Sequence, residues 1–197
     1  MTRRSDLTPR YRTIVADPPW DHSDGTGLSL AGGGGLVYGE RWSGKTRTTS
    51  TPYPCMTLDE IAALPVSALS DRDAHLYLWT TNRFLRDSYG IAEAWGFTPV
   101  KPLIWAKSPK GFMGGSFTSS AEFILFCRRG TLAHLSRAGR QWWTWERSSH
   151  SAKPEAFLDI VEQVSPGPYV ELFARRQRLG WDTWGNEALN HVDLGAA

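Results

Sequence analysis

A strand with large side chains on both of its faces needs cover on both faces, and residues 74–80 are such a strand. Ala74-His75-Leu76-Tyr77-Leu78-Trp79-Thr80 is a continuous apolar run with no polar alternation, as expected where neither side of a sheet meets water. Further strands are predicted at Arg12–Ala16, Pro99–Lys107, Glu122–Cys127 and Tyr169–Phe173, with a short one at Trp142–Trp145. Helical spacing separates them. Thr57 caps a short helix over Leu58–Leu64, which Pro65 follows. Asn82 caps a second over Arg83–Trp95, with Phe84, Ile91, Ala92 and Trp95 at helical spacing and Gly96 as its stop. Pro154 and Glu155 open a third, on which Phe157, Ile160, Val161 and Val164 share one face. This alternation predicts an α/β fold, a mostly parallel sheet with helices on both faces. No repeat or boundary interrupts it, so residues 1–197 read as a single domain.

Composition narrows the function classes. A net charge of +2 over 197 residues does not by itself announce a nucleic-acid binder. Ten tryptophans are a surplus; most are expected in the core or at its rim, and base stacking is a use for the remainder. Cys55 and Cys127 lie far apart with no paired spacing, which fits a reduced cytoplasmic protein and argues against a metal site. No apolar run approaches the ~20 residues of a membrane span, and Met1-Thr2-Arg3-Arg4 lacks the core of a signal peptide.

Residues 21–54 are glycine- and serine-rich without apolar periodicity, a predicted lid or insertion directly after the first strand. Within them Gly39 to Thr46 satisfies the phosphate-loop pattern GxxxxGK[ST]. That motif works when a buried strand feeds the loop and a helix leaves it. Here Leu36-Val37-Tyr38 precede it and a β-branched, proline-ended run follows, so the context fails.

Two constellations carry chemistry. The first strand ends in Asp17-Pro18-Pro19-Trp20: one acid, two imides that cannot continue a ladder, and a large ring. Ligands of open α/β sheets bind beyond the carboxyl ends of the strands. A carboxylate and a main-chain carbonyl there could accept both hydrogens of an adenine amine, freeing its lone pair and stabilising the charge that develops on nitrogen. A ring beside them could hold the base by stacking. The same residues also read as a strand closed by a proline turn, with Trp20 in the core. The second constellation runs from Glu171-Leu172-Phe173-Ala174-Arg175 through Gly180-Trp181-Asp182-Thr183-Trp184-Gly185-Asn186-Glu187. An acid inside an apolar strand needs a partner. Ribose hydroxyls of a nucleotide cofactor would serve Glu171, and so would Arg175 or Arg176. Asn186 and Glu187 either cap a turn or bind hydroxyls and ring nitrogens. Lys153, just before the third helix, reads on its own as a solvated lysine or as a neutraliser of a ligand carboxylate.

The chain resembles the N6-adenine methyltransferase family typified by the catalytic subunit of the eukaryotic messenger-RNA methyltransferase, with bacterial and phage relatives. The resemblance rests, in order, on Ala16-Asp17-Pro18-Pro19-Trp20 and on Pro52-Tyr53-Pro54-Cys55-Met56. It continues through Leu78-Trp79-Thr80-Thr81-Asn82-Arg83, Ala94-Trp95-Gly96-Phe97, Ile104-Trp105-Ala106-Lys107 and His150-Ser151-Ala152-Lys153-Pro154. The two segments from Glu171 and Gly180 complete it. It implies a Rossmann-like fold that binds S-adenosylmethionine and transfers its methyl group to the N6 amine of adenine in nucleic acid, DNA in preference to RNA given the compact chain. Carried over by position, Asp17 and Pro18 would grip the amine, and Pro19 and Trp20 would shape the target pocket. Lys153, Glu171, Arg175, Asn186 and Glu187 would bind the cofactor, Glu187 standing where some members have glutamine. Residues 25–47 have no clear family counterpart.

A rival from another class is a catalytically inactive nucleic-acid-binding subunit of a methyltransferase complex; a phosphate-loop NTPase is a more distant one. Arg128-Arg129, Arg137 and Arg140, and Arg175-Arg176-Arg178 are either contacts to a phosphate backbone or solvated charge. Association with a second copy or another chain is left open, and no membrane or metal partner is expected.

Overall fold

A computed structural model of the chain describes residues 10–21, 55–108, 120–146 and 153–194. The predicted lid from residue 22 onward, the phosphate-loop pattern and His150 to Ala152 lie outside the described residues.

Seven strands form one sheet: β1 (Tyr11–Ala16), β2 (Ser70–Thr80), β3 (Thr98–Ser108), β4 (Ala121–Arg129), β5 (Trp142–Glu146), β6 (Tyr169–Leu172) and β7 (Trp181–Trp184), in the order β5-β3-β4-β2-β1-β6-β7. Every pairing is parallel except the two made by β4, which runs antiparallel to β2 and β3. The mostly parallel α/β sheet is therefore as expected, with one reversed strand near its middle. Among the described residues four helices accompany it: α1 (Leu58–Ala63), α2 (Val66–Leu69), α3 (Leu85–Ala94) and α4 (Glu155–Val164).

The two-residue period of the strands divides the core. Ile14, Ala16, Leu76, Leu78, Leu125, Val170 and Leu172 face α1, α2 and α3 through Ile61, Val66, Ile91, Ala92 and Trp95. Val15, Tyr77, Trp79, Trp105, Ile124 and Phe126 face the other way, onto Phe157, Leu158 and Val161 of α4. Both faces of β2 are covered, which its composition demanded. Six of the nine described tryptophans are buried, so the surplus is mainly core. Each such ring removes roughly 150–250 Å² from water, about 4–6 kcal/mol at about 25 cal/mol/Å². Trp20, Trp95, Trp105 and Trp181 also place their indole N–H groups on acceptors, for instance Trp95 on Ile61 O at 3.0 Å and Trp105 on Trp145 O at 3.0 Å.

Local chemistry sets the helix ends. Thr57 caps α1 in a capping box: its hydroxyl accepts from Glu60 N at 3.2 Å while its own amide donates to Glu60 Oε2 at 2.7 Å. Gly96 (φ +80°) ends α3 as expected, its amide donating to Glu93 O. Asn82, by contrast, does not cap α3. The helix starts at Leu85 because residues 81–84 first turn Phe84 inward, where its ring stacks on Trp20 at 5.2 Å. Strand β7 and helix α2 escape a periodicity reading; four residues are too few to show a period.

Candidate active site

The parallel strands end along one edge of the sheet, and the order reverses direction around β1: β2 lies to one side and β6 to the other. Open α/β sheets bind their ligands at such a switch point. Asp17 follows β1 directly, its amide donating to Leu172 O of β6 at 3.4 Å. Val15 pairs with Glu171 in β6, and Glu171 pairs with Thr183 in β7. The chain thus brings its first and last strands together, and with them the two predicted constellations.

Reversal of β4 carries a consequence for this edge. An antiparallel strand begins where its parallel neighbours end, so Glu122, second in β4, lies level with Trp105 near the end of β3. Together with Lys107, two residues further along β3, and Lys153, just ahead of α4, it completes a row of four alternating charges. Lys153 Nζ is 2.8 Å from Asp17 Oδ2 and 3.2 Å from Glu122 Oε2, and Lys107 Nζ pairs with Glu122 Oε1. The four side chains are only 12–21% exposed. Two indoles floor the row: Lys153 Nζ sits 5.2 Å from the centroid of Trp79 and Lys107 Nζ 5.0 Å from that of Trp105. Burial works against the charge on Lys153, but Asp17 and Glu122 outweigh it and raise its pKa. Burial likewise pushes Glu122 up, and the two lysines outweigh it and bring it below the usual carboxylate range. Both shifts favour the charged forms.

Glu171 has the opposite fate. Its Oε2 is buried with no hydrogen-bond partner. Burial, with Asp17 adding to it, raises its pKa to about 7 against the pull of Arg176. Pairing with Arg176 is not what the structure shows: that guanidinium donates to Lys153 O at 3.0 Å and pairs with Glu155 at 3.0 Å. A buried acceptor without a donor, at the carboxyl end of a parallel strand, fits the hydroxyls of a nucleotide's ribose. Phe173, two residues on, holds φ at +63°, a costly conformation for an aromatic residue, and its ring meets Trp184 edge-on at 5.2 Å. Gly185 locks the ends of β6 and β7 together. A Cβ there would stand 2.5 Å from Ala174 N and 2.9 Å from the Phe173 carbonyl carbon. Asn186 and Glu187 follow it, exposed, at the same edge, and Arg175 lies half-buried in the turn after β6.

Several expectations change. Trp20 is not an open stacking plate: it is 5% exposed, one face lies against Phe84, and its Nε1 donates to Trp79 O at 3.2 Å. The carbonyls of the proline pair are partly engaged, Pro18 O accepting from Trp20 N and Pro19 O from Met56 N, both at 2.9 Å. Lys153 is neither solvated nor alone. Of the arginine clusters, Arg128 and Arg129 lie at the far end of the sheet, bound to Leu132 O and Ser67 O. Arg178 is held by Asp159 and Glu162. Arg137 and Arg140 remain exposed. Glu122 and Lys107 were not anticipated as site residues, although a charge at the end of an apolar strand is the signal that flagged Glu171.

Fold and edge together define an open α/β sheet with an acid at its switch point. The chain belongs to the MT-A70 family, whose profile matches residues 36–187, and it has the Rossmann-like fold of the methyltransferases. Asp17 to Trp20 precede the matched span. The chain is 32% identical over 187 residues to Type II methyltransferase M.MunI of Mycoplasma sp., covering 90% of this chain and 78% of that protein. It is 29% identical to the N(6)-adenosine-methyltransferase MT-A70-like protein of Drosophila melanogaster and 26% identical to the human N(6)-adenosine-methyltransferase catalytic subunit METTL3. These alignments cover 90% of this chain but only 27% and 28% of those longer proteins. Among the described residues no group of three His, Cys, Asp or Glu side chains is arranged to hold a metal, and no helix is long and apolar enough to cross a membrane.

Proposed function

We propose that the protein transfers a methyl group from S-adenosylmethionine to the N6 amine of adenine in nucleic acid, with DNA as the preferred substrate and the cytoplasm as its setting. The observation that carries this reading is that an acid held by Lys153, Asp17, and a buried acid with an unpartnered oxygen, Glu171, stand on either side of the switch point. The chain spans 78% of the Type II methyltransferase but only 27% and 28% of the Drosophila and human proteins named for adenosine. On that ground DNA is placed ahead of RNA.

S-adenosylmethionine, when bound, supplies an electrophilic methyl group. Glu171 Oε2 would accept from its ribose hydroxyls, with Asn186, Glu187 and Arg175 around the same edge. An ammonium has three donors and Lys153 spends two on Asp17 and Glu122, so the third can meet the carboxylate of the methionyl group. On the other side, Asp17 accepts one amine hydrogen and the second lone pair of Pro18 O the other. Both then stabilise the positive charge that grows on nitrogen as it attacks, and the proton leaves to Asp17 or to water. Pro19 and Trp20 support this grip from behind, through Met56 and Trp79.

The test incubates the protein with methyl-labelled cofactor and DNA or RNA separately, then digests to nucleosides. Label in N6-methyladenine is the expected result; label in methylcytosine overturns the chemistry. Titration with the cofactor alone decides against the inactive-subunit alternative if binding is seen.

A further inference from the structure

Three buried polar side-chain atoms among the described residues have no hydrogen-bond partner: Glu171 Oε2, Thr81 Oγ1 and Arg128 Nε. Arg128 lies at the far end of the sheet. The first two flank Asp17 from opposite sides, Glu171 on β6 and Thr81 immediately after β2, and β1 lies between those strands. Leu78 of β2 pairs with Ala16 of β1, and beyond that pair Trp20 Nε1 donates to Trp79 O at 3.2 Å, so the segments leaving the two strands stay together. Thr81 is therefore next to the amine-gripping tetrapeptide and away from the cofactor side. Its backbone is fixed: Thr81 O accepts from Phe84 N at 3.1 Å, and Phe84 is the ring stacked on Trp20.

A buried hydroxyl left without a partner is destabilising, and a neighbouring ligand that supplies the partner removes that cost. We infer that Thr81 is a specificity-determining residue whose hydroxyl donates to N1 of the target adenine, an inference that rests on the adenine reading above. The amine and N1 are bonded to the same ring carbon, so a base whose amine lies on Asp17 and Pro18 presents N1 close by. Those two groups already accept both amine hydrogens. What the neighbouring ring edge still needs is a donor, and a threonine hydroxyl is one. N1 is also the acceptor used in base pairing, so the base read in this way is unpaired or flipped out of its duplex.

The test compares wild type, Thr81→Val and Thr81→Ser on oligonucleotides carrying adenine, 1-deazaadenine or 7-deazaadenine at the target. Thr81→Val should lower kcat/KM for adenine about tenfold and Thr81→Ser less than threefold. On 1-deazaadenine, which lacks the acceptor, Thr81→Val should cost less than twofold; on 7-deazaadenine it should again cost about tenfold. Thermal stability of Thr81→Val should match or exceed wild type, since an unpartnered hydroxyl is removed, whereas a structural role would lower it. Equal losses on adenine and 1-deazaadenine overturn the inference, as does full activity of Thr81→Val. Should that variant fail to fold, wild-type transfer to 1-deazaadenine at the adenine rate overturns it by itself. Absence of any wild-type transfer to adenine would instead remove the adenine reading, a result separable from all of these.

Discussion

The two ends of the sheet handle buried polar groups in contrasting ways. At the amino-terminal end of β2, His75 is fully buried, and its Nδ1 lies 2.8 Å from Ser165 Oγ while its Nε2 lies 3.3 Å from Leu132 O. Tyr77 OH meets the same Ser165 oxygen at 2.7 Å, and Thr13 Oγ1 donates to Pro166 O at 2.7 Å. Apart from Arg128 Nε, polar atoms buried there find partners within the protein. At the carboxyl end, Glu171 Oε2 and Thr81 Oγ1 find none. A fold that satisfies its polar atoms at one end and leaves acceptors and donors open at the other is built for ligands at the second. The first end holds the sheet together.

Breaking that contrast at its active end should have the largest effect. Asp17→Ala removes the proposed acceptor for the amine and should cut kcat by at least about 100-fold while affinity for S-adenosylmethionine persists; activity near wild type would end the assignment. At the structural end, Ser165→Ala strips a partner from both His75 and Tyr77. It should cost about 3 kcal/mol of stability in urea unfolding while activity per folded molecule stays within about twofold.

A pH series sharpens the comparison, because the two ends oppose each other. Burial, with His134 beside it, lowers the His75 pKa to about 4 from an ordinary value near 6.5. The stability that its neutral ring contributes is complete above pH 6.5 and is lost as pH falls toward 4, about 3 kcal/mol in all. Glu171, raised to about 7, holds a proton in the folded chain between pH 4.5 and 7 that the unfolded chain has released. Its share of stability therefore declines as pH rises through that window. In the ligand-free protein the two slopes nearly cancel between pH 4.5 and 6.5. Glu171→Gln removes one of them, so the variant should lose about 2 kcal/mol on acidification across that range, where wild type is almost flat with respect to this pair. The smallest effect belongs to the start of α1: Thr57→Ala should cost about 1 kcal/mol by breaking the capping box, while the backbone bond from neighbouring Met56 to Pro19 survives and transfer continues.

Much of this edge could be read from the chain because its groups declare themselves within single segments. Asp17 stands between an apolar strand and two prolines, and Glu171 is an acid inside an apolar strand. Lys153 could not be decided, since its two partners come from β1 and β4. Glu122 was hidden by the direction of β4: strand–helix alternation predicts parallel neighbours, and only a reversed strand brings its first residues to the carboxyl edge. The twelve residues between β3 and β4 carry no helical pattern, and a parallel connection needs a crossover, usually a helix. That was the signal. Trp20 stays open between stacking plate and core residue, because a ring after a turn gives no hint of which side it will bury; Phe84 and the Trp79 carbonyl, far along the chain, decide it.

Pairing of β1 with β6 joins Val15 to Glu171, 156 positions later in the chain. Such a contact closes a very long loop, which folding reaches late. During synthesis the chain can build β2, β3 and β4 with α1 to α3 from local neighbours well before residue 172 leaves the ribosome. The crevice cannot exist until it does. A nascent chain therefore has no complete switch-point edge until β6 has emerged, and a truncation just before β6 should yield a half-sheet with no affinity for S-adenosylmethionine.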